Sequence, residues 1–200
     1  MKKKNVKRNS TKPIPPKYQK TIVVNLMAGP GAGKSTMAAS LFSYLKWKGI
    51  DCELAAEYAK DLVWEKRDKT FENQVYIFGK QHNRLFRLLG QVEVVITDSP
   101  LLLTPIYDGY KRETLKKLVF EEVNRCNNLN IFVVRRKDYN PNGRKHTKSQ
   151  ADIIDETVKN FLKENNVSFV EIEGTPVGVC KIVTLVDKIL KNETRGSKNR

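Results

Sequence analysis

Apolar and polar positions divide the chain into short β-branched runs and longer stretches with helical spacing. Ile22 to Met27 is an apolar run that fits a strand buried on both faces. A helix is predicted from about Lys34 to Lys48, stopped by Gly49. A second strand follows over Cys52 to Ala56, then a helical stretch over Tyr58 to Lys66 and a longer helix over Phe71 to Leu89, closed by Gly90. Val92 to Thr97 reads as a third strand, ended by Asp98-Ser99-Pro100. Arg112 to Arg125 reads as a helix and Ile131 to Val134 as a fourth strand. Arg135 to Gln150 is polar, contains Pro141 and Gly143, and reads as a loop or mobile lid. Ala151 to Asn165 is an amphipathic helix, Val167 to Ile172 a fifth strand and Val177 to Lys191 a closing helix. Strands alternating with helices predict an α/β fold, a five-stranded parallel sheet with helices on both faces. The expected plan is one domain over residues 21–191, with basic disordered arms at 1–20 and 192–200.

The segment between the first strand and first helix carries the chemistry. Ala28-Gly29-Pro30-Gly31-Ala32-Gly33-Lys34-Ser35 has the spacing of a phosphate-binding loop, with alanine where the first glycine usually stands. Glycine lets the backbone curl so that its N–H groups face phosphate oxygens, and the helix that follows adds the positive end of its dipole. Lys34 is expected on the β- and γ-phosphates, the Ser35 hydroxyl on Mg²⁺ and Thr36 near the α-phosphate. A strand before and a helix after complete the context, so ATP with Mg²⁺ is the expected cofactor.

Two acids stand at strand ends, where open parallel sheets bind their ligands. Asp98 can hold Mg²⁺ through water or accept a proton from a substrate hydroxyl, and Glu57 competes for the proton-accepting role. The residue pattern leaves both assignments open, along with a plain turn or cap role for Asp98. Asp61 and Glu65 can line an acceptor pocket or solvate a helix face. Trp64, Phe71, Tyr76 and Phe78 can stack on a base, though aromatics at helical spacing are usually core, and His82 reads as a satisfied helix partner. Arg135, Arg136 and Arg144 follow the fourth strand, where a lid would close and one arginine would neutralise the transferred phosphoryl group. The candidate catalytic set is thus Lys34, Asp98, Glu57 and Arg136.

Charge adds a partner to this picture. The net charge is +15, and residues 1–20 hold eight Lys and Arg with no acid. Such a segment is either an electrostatic arm for nucleic acid or a solubilising tail. Basic runs in the body, Lys111-Arg112 and Arg135-Arg136-Lys137, favour a polyanion and make DNA the expected partner. Cys52, Cys126 and Cys180 show no CxxC spacing and, with His82 and His146, make no zinc site. They read as reduced thiols of a cytoplasmic protein. No apolar run approaches the ~20 residues of a membrane span.

The runs AGPGAGKST, LAAEYAKDLVWEK, VVITDSP and KENNVSFVEIEG resemble the ribosylnicotinamide-kinase-like branch of P-loop kinases. Within it the chain looks most like kinases of large tailed bacteriophages, including those that phosphorylate 5-hydroxymethyluracil in DNA. The likeness spans roughly residues 21–190. It implies ATP-dependent phosphorylation of that base's 5-hydroxymethyl group as a step in thymidine hypermodification, in the host cytoplasm. Ribosylnicotinamide kinases imply instead a small nucleoside acceptor, and the basic arm favours the polymer. A nucleic-acid-associated ATPase is a third reading, against which the short chain stands.

Overall fold

The computed structural model describes residues 16–136 and 147–198. Strands β1 (Ile22–Met27), β2 (Cys52–Leu54), β3 (Val94–Thr97), β4 (Asn127–Val134) and β5 (Val170–Glu173) form one sheet in the order β2-β3-β1-β4-β5. Every neighbouring pair is parallel. The expected five-stranded parallel sheet is therefore present. All six residues of β1 are buried, as a central strand covered on both faces requires.

The helices are α1 (Pro16–Gln19), α2 (Lys34–Trp47), α3 (Ala59–Trp64), α4 (Asp68–Phe71), α5 (Gln74–Phe86), α6 (Thr104–Tyr107), α7 (Glu113–Val123), α8 (Lys148–Glu164) and α9 (Pro176–Lys198). A 3-10 turn over Leu101–Leu103 precedes α6. Helix α2 packs against α9, while α5, α7 and α8 gather around α6 and its preceding turn. None of the described helices is long and apolar enough to cross a membrane.

Several boundaries move from their expected places, each for a local reason. The long helix expected over Phe71 to Leu89 is broken, because the Asn73 side chain accepts the Tyr76 N–H and starts α5 afresh. Strand β4 begins four residues before Ile131 because its asparagines are paired within the sheet. Asn25 of β1 donates to the Asn128 and Asn130 side chains, each at 2.9 Å. Helix α8 begins at Lys148, where Thr147 and Gln150 form a capping box. Both expected arms are shortened by helix. Helix α1 lies inside the 1–20 segment, with Tyr18 against Phe86 at 5.8 Å, and α9 continues through the 192–200 tail as far as Lys198. The charges of residues 1–15, and the loop around Pro141-Asn142-Gly143 with Arg144, lie outside the described residues.

Sheet order fixes where a ligand can sit. Strand β1 is flanked by β3 on one side and β4 on the other, so consecutive connections leave it in opposite directions. The crevice at its carboxyl end is the topological switch point, where open α/β sheets bind.

Candidate active site

The loop from Ala28 to Ser35 occupies that switch point. Gly31 and Gly33 have φ of 76° and 97°, which side chains rarely adopt, and Gly33 is the N-cap of α2. Gly29 is not among the positive-φ residues and has another reason to be glycine. A Cβ there would lie 2.6 Å from the Ala151 carbonyl oxygen on α8. The loop is thus curled by two glycines and pressed against a neighbouring helix by a third. Gly174, just past β5, plays a similar spacing role, since its Cβ would meet the Ala32 carbonyl at 2.9 Å.

Lys34 opens α2, and its ammonium donates to the carbonyls of Ala28 and Gly29 at 2.8 and 2.9 Å. Burial lowers its pKa, the carboxylates of Glu57, Asp98 and Asp155 oppose that, and the Arg135 charge adds to the lowering. These five side chains therefore share one electrostatic neighbourhood. Ser35 and Thr36 in the first helical turn are exposed and line the adjoining cavity, as do Pro30, Gly31 and Gly33.

Asp98, 8% exposed, follows β3, and its Oδ1 accepts the Glu57 backbone N–H at 3.1 Å. That bond ties together the segments leaving β2 and β3. Glu57 is half-buried, and desolvation raises its pKa against the pull of Lys34, with Asp98 raising it further. The structure thus brings Lys34, Ser35, Glu57 and Asp98 together, as the sequence predicts. The donors available to a cation, the Ser35 hydroxyl and the Asp98 carboxylate, are hard oxygens. They suit Mg²⁺ that keeps water and arrives with phosphates. No group of three His, Cys, Asp or Glu that could hold a metal unaided occurs among the described residues.

Beyond these acids lies a cavity of about 240 Å³. Val63 and Trp64 of α3, Phe71 of α4, Ile77 of α5, Leu103 and Tyr107 supply its apolar wall, and Gln74 a polar group. Burial is the main reason that the Tyr107 hydroxyl is pushed up beyond the usual phenol range, with the Glu57 and Asp155 charges adding to it. Gln81 serves the frame. Its carboxamide accepts the Tyr58 N–H at 3.0 Å and donates to the Ala55 carbonyl at 3.3 Å. No motif marked Gln74, Leu103 or Tyr107; packing brings them to the cavity that Glu57 also lines.

Other candidates resolve differently. Trp64 and Phe71 line the cavity, whereas Phe78 is core and Tyr76 lines a neighbouring groove. Asp61 pairs with Arg84 at 2.6 Å and Glu65 with Arg67 at 3.2 Å. His82 bonds Glu122 at 3.0 Å and stacks on Phe86, so it is a satisfied structural residue. Of the arginines after β4, Arg136 pairs with Glu173 and is 57% exposed, which removes it from the loop. Arg135 meets the loop instead, donating to the Pro30 carbonyl at 2.8 Å. Adjacent residues at a strand end point to opposite sides, and only one of the pair can face the loop.

Residues 23–177 match a family model described as an AAA domain. Among solved structures, thymidylate kinase from Ehrlichia chaffeensis is similar with a TM-score of 0.54 and 13% identity, over 83% of this chain and 98% of that one. At that identity the likeness is one of fold: a P-loop NTPase sheet of the thymidylate-kinase kind. No curated protein matches.

Proposed function

The chain belongs to the AAA-domain family, and on that premise we propose that it is a kinase moving the γ-phosphoryl group of ATP onto a hydroxyl held in the cavity. The observation that carries this reading is Glu57. Its carboxyl lines the cavity beside the phosphate-binding loop, and its raised pKa makes it a stronger base than an exposed glutamate. Glu57 takes the acceptor hydroxyl proton as the new O–P bond forms and the bond to the bridging β–γ oxygen breaks, leaving ADP. Asp98 and Ser35 would hold Mg²⁺, which neutralises phosphate charge when bound. Lys34 turns from its own loop carbonyls to the β- and γ-phosphates. The apolar wall excludes water from the transferred group.

The acceptor we read as the 5-hydroxymethyl group of 5-hydroxymethyluracil in DNA. The EYAKDLVWE and ITDSP runs mark the branch and not the substrate; the basic N-terminal segment is what favours a polymeric acceptor. A groove shares α4 with the cavity, and three cations, Arg67, Lys69 and Arg112, line it with Tyr76, Tyr110 and one acid, Glu72. Cations interleaved with aromatics are what a single strand beside a flipped base requires.

The test uses γ-labelled ATP, Mg²⁺ and three acceptors: DNA containing 5-hydroxymethyluracil, ordinary DNA and a nucleoside panel. Label in the modified DNA is expected. Label in nucleosides alone would overturn the DNA acceptor and favour a small-molecule kinase. Free phosphate with no labelled acceptor would overturn the kinase and favour an ATPase.

A further inference from the structure

We propose that Asp155, which no sequence motif marks, is a positioning residue that fixes Arg135 and the phosphate-binding loop in one register. The inference rests on the reading of this cleft as a phosphoryl-transfer site. It starts from a closed ring of hydrogen bonds. Asp155, on α8, accepts the Gly29 N–H through Oδ1. Its Oδ2 accepts from Arg135 Nη2 at 2.7 Å and Nε at 3.2 Å. Arg135 Nη1 returns to the loop at the Pro30 carbonyl, 2.8 Å away. Two consecutive loop residues, one donating and one accepting, are thus spanned by a single ion pair.

The pair is shielded from solvent beside the loop. The Arg135 and Asp155 side chains are only 12% and 15% exposed, so water screens them little. Asp152 lies on the open side, 3.4 Å from Arg135 Nε and half exposed, and adds a weaker hold. An arginine beside a phosphate works through its planar fork, and a fork is useful only when its plane is fixed. Asp155 grips one edge of the guanidinium, and α8 is seated so closely that only glycine fits at position 29. A preorganised cation of this kind costs no reorganisation when charge develops on the phosphoryl oxygens. Arg136, one residue on, has no such holder in the loop and pairs outward with Glu173.

A double-mutant cycle tests this with Asp155→Asn, Arg135→Ala and the two combined. The asparagine keeps an oxygen for the Gly29 N–H and removes the charge that orients Arg135. Label transfer at saturating ATP is expected to fall roughly 100-fold in Arg135→Ala. It should fall at least ~10-fold in Asp155→Asn, and the double variant should match Arg135→Ala within about twofold, because Asp155 acts through Arg135. Arg135→Lys, which keeps the charge without the fork, should lose nearly as much as Arg135→Ala. Losses that multiply in the double variant would overturn the proposal. So would a lower melting temperature for Asp155→Asn with transfer unchanged, or full activity in Arg135→Lys. If wild-type protein labels no acceptor, the kinase reading fails separately. The same cycle measured on ATP hydrolysis then still reports whether Asp155 and Arg135 are coupled.

Discussion

Replacing Gly29 by alanine puts a methyl group where the phosphate-binding loop meets α8. The new Cβ would stand 2.6 Å from the Ala151 carbonyl, 3.0 Å from Asp155 Oδ1 and 3.3 Å from the Asp155 nitrogen. Two of these three atoms are backbone, so no side chain can swing aside to relieve the closest contact. Reaching an ordinary contact near 3.4 Å requires the loop and helix to part by about 0.8 Å. Overpacking of this kind costs ~1–3 kcal/mol. For a domain of this size, ~2 kcal/mol lowers the melting temperature by roughly 4–8 °C. The functional loss should be larger, since a misplacement approaching 1 Å in a catalytic frame can cost on the order of 100-fold in rate. Gly79→Ala is the control. It is an exposed glycine within α5 whose added Cβ meets nothing within 4 Å. That change should stabilise the protein by up to ~1 kcal/mol through helix propensity. Calorimetry and ATP titration of the two variants give the answer. A Gly29→Ala protein melting within about 1 °C of wild type, with unchanged ATP affinity, would refute the close seat of α8 on the loop.

Glu57→Gln should lower transfer by ~10²–10⁴-fold while ATP still binds. Wild-type rate should rise with pH as Glu57 loses its proton, with the midpoint above the usual glutamate range because burial raises it, and that limb should be missing from the residual rate of the variant. Asp98→Asn should raise the Mg²⁺ concentration needed for half-maximal rate, read by titration at fixed ATP. Lys34→Ala should abolish label transfer to every acceptor. Hydrogen bonds from Arg112 hold the Asp108 pKa at about 2, against a usual 3.8, so the pair stabilises the fold above pH 4 and that increment is lost as pH falls through 2. Asp108→Asn should lack this increment, and acid titration of denaturant midpoints should show the two proteins converging near pH 2.

Legibility in the sequence followed locality. The phosphate-binding loop was readable because its spacing and its flanking strand and helix are contiguous. Asp98 and Glu57 were readable as strand-terminal acids, and the 3.1 Å bond from the Glu57 N–H to Asp98 holds them side by side. The start of β4 was hidden because Asn127, Asn128 and Asn130 look like turn residues until Asn25 is placed beside them. Caps at Asn73 and Thr147 were present as local signals and were outweighed by apolar periodicity. Asp155 could not be read at all. Its role depends on where α8 lands, and only packing decides that. Gly29 was assigned to the loop correctly, for a conformational reason, when the actual reason is space.

The asparagines that bridge β1 and β4 have a consequence at the other end of those strands. The loop emerges from Met27 and Arg135 from Val134, so strand pairing sets the distance between them. Asn25 reaches Asn128 and Asn130 only when it stands opposite the latter. A slip of one residue would carry Arg135 about 3.3 Å along the sheet and turn it to the opposite face. It would also take from the buried Asn25 amide its two side-chain partners. The ladder therefore works as a ruler: amide pairing within the sheet specifies where a guanidinium meets the nucleotide loop.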